Sequence, residues 1–586
     1  MSELALLPAL RQAAAVRARE VSARELLELH LQRVERLNPP LNAIVTLDVE
    51  RARHAADAAD AALARGEVLG PLHGVPMTIK DTFEVAGVRT TAGFEPWRDH
   101  VPQHDAVAVA RLRAAGAVIF GKTNVPTLAS DLQTYNPIFG TTNNPWDTAR
   151  SPGGSSGGAA AAVATGLTAL EFGSDIGGSI RLPSNWCGVC GHKPSHGIVP
   201  QRGHLPGPPG ALAEADLNVC GPIARSVDDV ELALDVVAGP LPDRAVAWRL
   251  ELPPPRRARV NEWRLAAWLD DPACPVDAQV RAALDGAVER LRRAGAHVDD
   301  RARPAVDFAA LVRTYEKLLM PIILAGMPDE QFRGMAGAAD ALPPDDDSPG
   351  SRTLRAATIR HRDWLAAHEA RERVRAVMAD FFRTHDALLT PVHVVPAIAH
   401  DHSEPFAART ITVDGRPRPY TDLLSWIALA TMAWLPATVV PVGRTRAGLP
   451  VGVQVVGPWL EDRTSLAVAR HALALSGGVA PAGLLTSCTR GVDGVRATRP
   501  TLGPCEPRRR GDVAAARCAA PVDGECGWGI GVAATPQGER GPRREAVSAG
   551  DRGSGAETPM PRPRPTPRVA APFTTPSPRP RTRAAP

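Results

Sequence analysis

Cysteine is the first residue type that this sequence largely lacks. Eight cysteines occur in 586 residues, and four of them precede residue 485, namely Cys187, Cys190, Cys220 and Cys274. Secreted domains that depend on disulfides carry a much higher density of cysteine, so a fold stabilised mainly by disulfide bonds is excluded. Cys187 and Cys190 form an isolated C-x-x-C pattern. It predicts buried structural thiols, because a zinc site normally needs four ligands.

Long apolar runs and a secretory leader are also missing. The longest apolar stretch, 426–442, is interrupted by Pro436 and Pro441 and is too short to cross a bilayer. The first residues, Met1-Ser-Glu-Leu-Ala-Leu-Leu-Pro8, contain no cationic region followed by a cleavage site. These absences predict a cytoplasmic protein that contacts no membrane.

A large excess of one charge is absent from most of the chain. Residues 486–586 hold 17 arginines against nine acidic residues, whereas residues 1–485 hold 50 basic and 54 acidic ones. A nearly neutral body gives no electrostatic basis for binding nucleic acid. The Pro/Arg/Gly-rich segment 486–586 predicts a disordered tail, because it can bury too little apolar surface to offset chain entropy. A polybasic binding arm and a non-native reading frame are the alternatives for this segment.

Helical and strand-like segments alternate within residues 1–485, which favours a single large α/β domain. Ser22 to Glu25 forms a capping box and predicts the start of a helix. Apolar residues recur with helical spacing over 277–294 and predict an amphipathic helix. The Gly, Ala, Pro and Asp content of 327–350 predicts a surface loop or insertion.

Two glycine-rich loops that carry serine are the most informative feature. The first is Gly153-Gly-Ser-Ser-Gly-Gly158, and the second, Asp175-Ile-Gly-Gly-Ser-Ile-Arg181, places Ser179 after two glycines. Consecutive backbone N–H groups in such a loop can form an anion-binding nest. A serine beside a nest is what acyl transfer needs, because the nest stabilises the tetrahedral oxyanion.

Lysine is nearly absent, with four residues at positions 80, 122, 193 and 317 against 63 arginines. Neither serine loop contains a histidine that could act as the base. A buried lysine can lose its proton near neutral pH, whereas arginine cannot be deprotonated in proteins. Lys80 ends an apolar, strand-like run, so we predict that it is the general base.

These segments resemble the amidase signature family. The matching motifs are Gly74-Val-Pro-Met-Thr-Ile-Lys-Asp81 and the two serine loops, in that order, and the resemblance spans roughly residues 21–474. It implies a mixed central β-sheet covered by helices on both faces. It also implies hydrolysis of carboxylic amides to carboxylate and ammonia or amine through an acyl-serine intermediate, with no metal or organic cofactor.

The resemblance implies roles for individual residues. Ser179 would be the acylated nucleophile, Lys80 the base, and Ser155, held by a cis peptide bond, the proton relay between them. The oxyanion hole would consist of the backbone N–H groups of Ile176, Gly177, Gly178 and Ser179. The residues expected to support the site from behind are Ser156, Asp175 and Arg181. An apolar acyl pocket is expected from Trp426, Leu429, Met432, Trp434 and Leu435.

Two other functions stay open at this point. The glutaminase component of tRNA-dependent amidotransferases, their A-type subunit, shares these motifs and passes ammonia from glutamine to a bound partner. A catalytically silent interaction subunit would be expected to lack Lys80, Ser155 or Ser179, and all three are present. The partner expected of an active enzyme is a small-molecule amide, and the sequence leaves open whether the chain forms a homodimer.

Two local patterns point to other chemistries. Residues 116–123 fit the phosphate-loop pattern G-x-x-x-x-G-K-[ST], but the residues between the glycines are themselves strand-like, which predicts a structural Lys122. Residues 154–158 fit G-x-S-x-G with Ser156 as nucleophile, but the segment before them is loop-like. An α/β-hydrolase elbow requires a strand there.

Overall fold

The computed structural model describes residues 3–478 except 206 and 405. Over these residues the chain forms 14 α-helices and one sheet of 11 strands. The prediction of an α/β fold with a mixed sheet is confirmed. The predicted tail, 486–586, lies outside the described residues.

The strands include two short hairpins besides the main sheet. The strands are β1 (Ile44–Leu47), β2 (Pro76–Lys80), β3 (Val118–Thr123), β4 (Tyr135–Asn136), β5 (Gly140–Thr141), β6 (Leu170–Asp175), β7 (Cys190–Lys193), β8 (Val219–Ala224), β9 (Arg264–Ala267), β10 (His297–Asp299), β11 (Ala387–Pro391), β12 (Thr410–Val413), β13 (Arg416–Pro419), β14 (Ala437–Arg444) and β15 (Pro450–Val456). The order in the main sheet is β1-β3-β2-β6-β8-β7-β14-β15-β11-β9-β10. Strand β1 forms one edge and pairs antiparallel with β3. Strands β3, β2 and β6 are parallel to one another, as are β11, β9 and β10 at the other edge, and the pairs between these two groups are antiparallel.

The helices lie between the strands along most of the chain. They are α1 (Ala9–Arg17), α2 (Ala23–Leu37), α3 (Val49–Ala64), α4 (Val107–Ala114), α5 (Gly157–Ala164), α6 (Arg181–Cys187), α7 (Val227–Val237), α8 (Ala278–Arg293), α9 (Phe308–Ile323), α10 (Asp329–Asp340), α11 (Pro349–Ala357), α12 (His361–Thr384), α13 (Ser425–Met432) and α14 (Asp462–Leu475). None of these helices is both long enough and apolar enough to cross a bilayer.

Local signals in the sequence set several helix ends. The Ser22 side chain accepts a hydrogen bond from the N–H of Glu25, whose carboxylate accepts one from the N–H of Ser22, as the capping box predicts. Asp277 caps α8 by accepting from the N–H of Gln279. The predicted helix over 277–294 therefore differs from α8 only at its terminal residues.

The prediction of a surface loop or insertion over 327–350 is wrong in assigning a loop, because α10 fills much of this segment and α11 begins at its end. None of the α10 residues is buried. The glycines, prolines and aspartates of the segment favour a loop prediction, although α10 forms there without burying a residue.

The sheet carries an apolar core on each face. Neighbouring residues of β3 point to opposite faces of the sheet. Ile119 belongs to the first core, and Val118 and Phe120 belong to the second. Helices α2, α3 and α5 contribute to the second core, and α4, α7, α8 and α14 contribute to the first. This arrangement confirms helices on both faces.

The parallel pairing of β2 with β6 positions the polar residues. Lys80 is the last residue of β2, and Ser174 and Asp175 end β6. The carboxyl ends of parallel neighbours meet at the same edge of a sheet, which is where ligand sites of α/β folds form. Residues separated by more than 90 positions in the sequence, such as Lys80 and Ser174, are therefore adjacent.

Candidate active site

Lys80 is completely buried at the end of β2. Its Nζ lies 2.7 Å from Ser155 Oγ and 3.0 Å from Ser174 Oγ, in hydrogen-bond contact with both. Burial disfavours the ammonium form and lowers the pKa of Lys80 to about 7, although Asp175, Cys220 and Glu171 act in the opposite direction. Lys80 is thus a mixture of amine and ammonium near neutral pH.

Ser155 lies in the first glycine-rich loop, directly before α5. The Gly154–Ser155 peptide bond is cis. A Cβ atom at Gly154 would come within 2.6 Å of the Asp131 carbonyl oxygen, so the close approach of the 131–133 backbone requires glycine there. The Ser155 side chain is almost completely buried and faces Lys80.

Ser174 is a site residue that sequence reasoning missed. Its hydroxyl is the second oxygen in contact with Lys80 Nζ. A signal was available, because Ser174 lies directly before Asp175 in the second serine loop and follows an apolar strand. The contact itself depends on the pairing of β2 with β6, which local sequence does not reveal.

The two serine loops are joined by a backbone hydrogen bond. The N–H of Ser156 donates to the carbonyl oxygen of Ser179 at 3.1 Å. Ser179 is 5% exposed, whereas Ser155 is 1% exposed. Within the described part of the chain, the Ser179 hydroxyl makes no hydrogen bond, so Ser179 is both the more accessible serine and the one with an uncommitted oxygen.

A buried ion pair fixes the second serine loop. Arg181 forms a bidentate pair with Asp175, with Nη2 at 2.7 Å and Nε at 3.0 Å from the carboxylate oxygens. Its remaining donors reach the Ile427 carbonyl, Gln454 and Thr431. The pKa of Asp175 is lowered to about 2, because Arg181 and hydrogen bonds to the carboxylate outweigh the opposing effect of burial.

Asp175 also determines which backbone donors of this loop remain available. The N–H of Gly178, which the resemblance assigns to the oxyanion hole, instead donates to Asp175 Oδ1 at 3.0 Å. The N–H of Ile180 also donates to Asp175. Among residues 3–478, no acceptor is found for the N–H groups of Ile176, Gly177 and Ser179. Three of the four expected donors are therefore free to face a ligand.

Glu171 is a second residue that sequence reasoning missed. It is completely buried on β6, opposite Thr78 of β2, and it accepts hydrogen bonds of 2.7 Å from Thr123 Oγ1 and the N–H of Phe172. Burial raises the pKa of Glu171 to about 7, partly offset by hydrogen bonds and by Lys80. The sequence gives no signal for this carboxyl, since it occurs within an apolar run.

The wall beside the second serine loop differs from the expected acyl pocket. A Cβ atom at Gly177 would lie 3.4 Å from Leu424 and 3.7 Å from Tyr315 Oη, and one at Gly178 would lie 3.4 Å from Ile427 and 3.5 Å from His393. Trp426, which the sequence places in the pocket, packs instead against Trp268 and Phe308. Trp434 stacks on His196 and lies beneath Arg371.

The two rival patterns do not form the sites that they resemble. Lys122 lies inside β3 and is completely buried, donating to Asp81 at 3.1 Å and to the Phe83 carbonyl and Thr90 at 2.8 Å. Ser156 follows a loop, and α5 begins one residue later. Lys122 and Ser156 therefore both have structural roles.

Cys187 and Cys190 are buried free thiols. Burial raises the pKa of both well above the ordinary range for cysteine. In the described part of the chain, no three His, Cys, Asp or Glu side chains converge as metal ligands would.

Taken together, a partly deprotonated lysine, two neighbouring hydroxyls, a serine with an uncommitted hydroxyl and three uncommitted N–H groups lie at one sheet edge. A neutral amine can accept a proton through a hydroxyl relay, and free N–H groups can stabilise an oxyanion. This arrangement is suited to acyl transfer through serine.

Comparison with known proteins gives matches over the same region. The sequence profile of a family described as Amidase matches residues 25–466. The A-type subunit of the glutamyl-tRNA(Gln) amidotransferase of Synechococcus sp. (strain CC9902) is 34% identical over 477 residues, covering 77% of this chain and 93% of that protein.

Solved structures of two related proteins share the fold. A bacterial aryl acylamidase of the amidase signature enzyme family is 25% identical with a TM-score of 0.68, covering 80% of this chain and 96% of that one. The A-type subunit of the glutamyl-tRNA(Gln) amidotransferase of Thermotoga maritima is 25% identical with a TM-score of 0.65, covering 82% of this chain and 98% of that one.

Proposed function

Because the chain belongs to the amidase family and is a hydrolase of amide C–N bonds, we propose that it cleaves carboxylic amides through an acyl-enzyme on Ser179. The observation that carries this proposal is the contact of 2.7 Å between Lys80 Nζ and Ser155 Oγ in a fully buried setting. Burial makes the amine a competent base near neutral pH.

In the acylation step, the Ser179 hydroxyl, which makes no hydrogen bond within the described residues, turns towards Ser155 and gives it a proton while Lys80 accepts the Ser155 proton. Ser179 Oγ then forms a bond to the amide carbonyl carbon. The developing oxyanion is stabilised by the free N–H groups of Ile176, Gly177 and Ser179, and each such donor can contribute about 10²–10³ in rate. The C–N bond breaks as the proton returns from Lys80 through Ser155 to the leaving nitrogen.

Deacylation uses the same proton relay, with water in place of Ser179. A water molecule loses a proton towards Ser155 and Lys80 and attacks the acyl carbon. The proton returns to Ser179 Oγ when the ester bond breaks, which releases the carboxylic acid. Ser174, the second oxygen in contact with Lys80 Nζ, holds the amine in place during both steps.

The side chains that pack against Gly177 and Gly178 carry no charge, which supports a substrate with an uncharged acyl group. Leu424 and Ile427 are apolar, and burial lowers the pKa of His393 to about 3, so this ring is neutral at pH 7. A neutral wall fits an aliphatic or aryl acyl group better than a charged one.

The second candidate is the glutaminase subunit of a tRNA-dependent amidotransferase, which would require partner subunits. The sequence comparison favours it over general amide hydrolysis, because the relative reported above carries that name at 34% identity and the Thermotoga maritima protein shares the fold. The uncharged side chains packed against the second serine loop favour general amide hydrolysis instead, because glutamine carries two charged groups on its α-carbon.

Ammonia release distinguishes the two candidates. The protein would be assayed alone with short aliphatic amides, aryl amides and glutamine, and again with glutamine in the presence of amidotransferase partner subunits. Turnover of uncharged amides by the protein alone supports the first candidate. Glutamine turnover that appears only with the partner subunits supports the second.

The nucleophile is tested separately by labelling with a fluorophosphonate followed by peptide mapping. We expect a single adduct on Ser179 that is absent from Ser179→Ala. An adduct on Ser156 would overturn the acyl-Ser179 proposal and favour the α/β-hydrolase interpretation.

A further inference from the structure

Tyr315 connects helix α9 to the second serine loop. It is almost completely buried, and its Oη donates a hydrogen bond of 2.7 Å to the carbonyl oxygen of Ile176. Asp307 caps α9 by accepting from the N–H of Ala310, which fixes the start of the helix that carries Tyr315. Neither composition nor motif spacing indicates this contact.

The carbonyl of Ile176 and the N–H of Gly177 belong to the same peptide unit. A trans peptide is planar, so its C=O and N–H point in opposite directions. The only cis bond found among the described residues is Gly154–Ser155, so this unit is trans. A hydrogen bond that holds the Ile176 oxygen on the α9 side therefore directs the Gly177 N–H to the other side.

This peptide unit needs an anchor that the rest of the loop does not provide. Asp175 holds the N–H groups of Gly178, Ile180 and Arg181, which lie after it in the chain. Gly177 and Gly178 are consecutive glycines, and Gly178 has a φ of 88°. Glycine populates many backbone conformations at similar free energy, so an unanchored Ile176–Gly177 unit could rotate.

The phenol is suited to this role as a neutral donor. Burial disfavours its ionised form and raises the pKa of Tyr315 above the ordinary range, so the O–H is retained near neutral pH. A Cβ atom at Gly177 would lie 3.7 Å from Oη, which places the phenol against the backbone of this glycine.

We infer that Tyr315 is a positioning residue that aims the Gly177 N–H at the oxyanion formed during acyl transfer. The inference rests on the proposed acyl-Ser179 mechanism and adds to it a hydroxyl from α9. Tyr315 does not touch the reacting atoms in this role; it acts through the Ile176–Gly177 peptide unit.

The test compares Tyr315→Phe with Tyr420→Phe in the full-length protein. Both variants remove one buried phenol hydroxyl, and Tyr420 Oη donates to Asp131 at 2.9 Å rather than to the serine loop. Asp131 keeps its bonds from Tyr135 and Arg409 after that loss. Tyr315→Phe should lower kcat roughly 10- to 100-fold, less than removal of a donor itself, with KM changed less than about twofold.

A second readout separates positioning from a structural role. An aldehyde that carries the acyl group of the best amide substrate forms a tetrahedral adduct with the nucleophile, and the corresponding primary alcohol cannot. Tyr315→Phe should weaken aldehyde inhibition by about the same factor as kcat/KM and leave alcohol inhibition unchanged. This ratio of inhibition constants is measured on folded enzyme and is insensitive to partial loss of protein.

Each outcome gives a decision. Equal weakening of aldehyde and alcohol, or unchanged kcat in Tyr315→Phe, overturns the role of Tyr315 while leaving the acyl-Ser179 mechanism intact. Absence of a fluorophosphonate adduct on Ser179 in the unaltered protein overturns the mechanism and, with it, the inference. Loss of the aldehyde preference in Tyr315→Phe but not in Tyr420→Phe supports the inference.

Discussion

Burial controls the acid–base state of Lys80. The folded-state pKa is lowered from 10.5 to about 7, so the fraction of neutral amine rises as pH increases through about 7. We predict that kcat/KM rises through this range and reaches a plateau on the alkaline side. A pH–rate profile of the purified enzyme measures this, and activity that falls as pH rises from 6 to 8 would contradict a lysine base.

The same shift has a consequence for stability. In the unfolded chain Lys80 keeps its proton up to about pH 10.5, whereas in the folded chain it loses the proton near pH 7. Its contribution to the free energy of unfolding therefore increases with pH between these values. Lys80→Met should lower kcat by a factor of about 10²–10⁴. Its free energy of unfolding at pH 7 should be at least as large as that of the unaltered protein. The exposed Lys317→Met is the matched control and should change neither quantity.

Glu171 adjusts the titration of Lys80 from the neighbouring strand. Its ionised carboxyl raises the pKa of Lys80, as Asp175 and Cys220 also do. Glu171→Gln removes the charge while keeping acceptor and donor atoms near Thr123 and Phe172. We predict that the acid limb of the pH–rate profile moves to lower pH, with the plateau unchanged. A shift to higher pH would refute this.

At the scale of elements, the turn between β6 and α6 depends on one buried ion pair. Both Arg181 and Asp175 have side chains that are 0% exposed. Arg181→Met leaves the Asp175 carboxylate buried and uncompensated, which typically costs about 3–5 kcal/mol. Urea unfolding measures this cost. Arg281→Met removes a partly exposed pair with Asp285 on α8 and should cost less than about 1 kcal/mol.

Glycines in α5 and α10 should respond oppositely to substitution by alanine. A Cβ at Gly158, in the first turn of α5, would overlap the backbone of Asn124, so Gly158→Ala should destabilise the protein by about 1–3 kcal/mol and lower activity. A Cβ at Gly337, inside the exposed helix α10, meets nothing within 4 Å. Gly337→Ala should stabilise by about 0.5–1 kcal/mol, as thermal unfolding of both variants would show.

At the scale of the whole molecule, the matched family region ends before the Pro/Arg/Gly-rich segment. The Amidase profile covers residues 25–466, and the 486–586 segment has the composition of a chain that cannot bury a core. We predict that truncation after Leu485 leaves the melting temperature and kcat within error of the full chain. Loss of folding after this truncation would show that the segment belongs to the domain.

Oligomeric state and partner subunits also belong to this scale. The sequence leaves a homodimer open, and that point stays a prediction to be measured by the molar mass of the purified chain in solution. The uncharged side chains packed against the second serine loop favour an uncharged amide as substrate, whereas the amidotransferase relatives favour glutamine. The assay with partner subunits therefore decides more about the biological role than any single substitution.

Much of the fold and part of the candidate site could be predicted from the sequence, because their signals are local or chemical. The capping box at Ser22 and the spacing over 277–294 fix helix starts through contacts within one turn. Lys80 stands out because lysine is scarce and arginine cannot serve as a base. The glycine-rich composition of the two serine loops likewise indicates a backbone able to present N–H groups to an anion.

The remaining features were decided by tertiary structure. Ser174 and Glu171 reach the Lys80 region because β6 pairs with β2, and Tyr315 reaches Ile176 because α9 packs over the loop; none of these long-range pairings has a local sequence signal. The N–H of Gly178 goes to Asp175 because the turn folds back on its own carboxylate. Sequence determines which groups the chain can offer, and packing determines which atoms they meet.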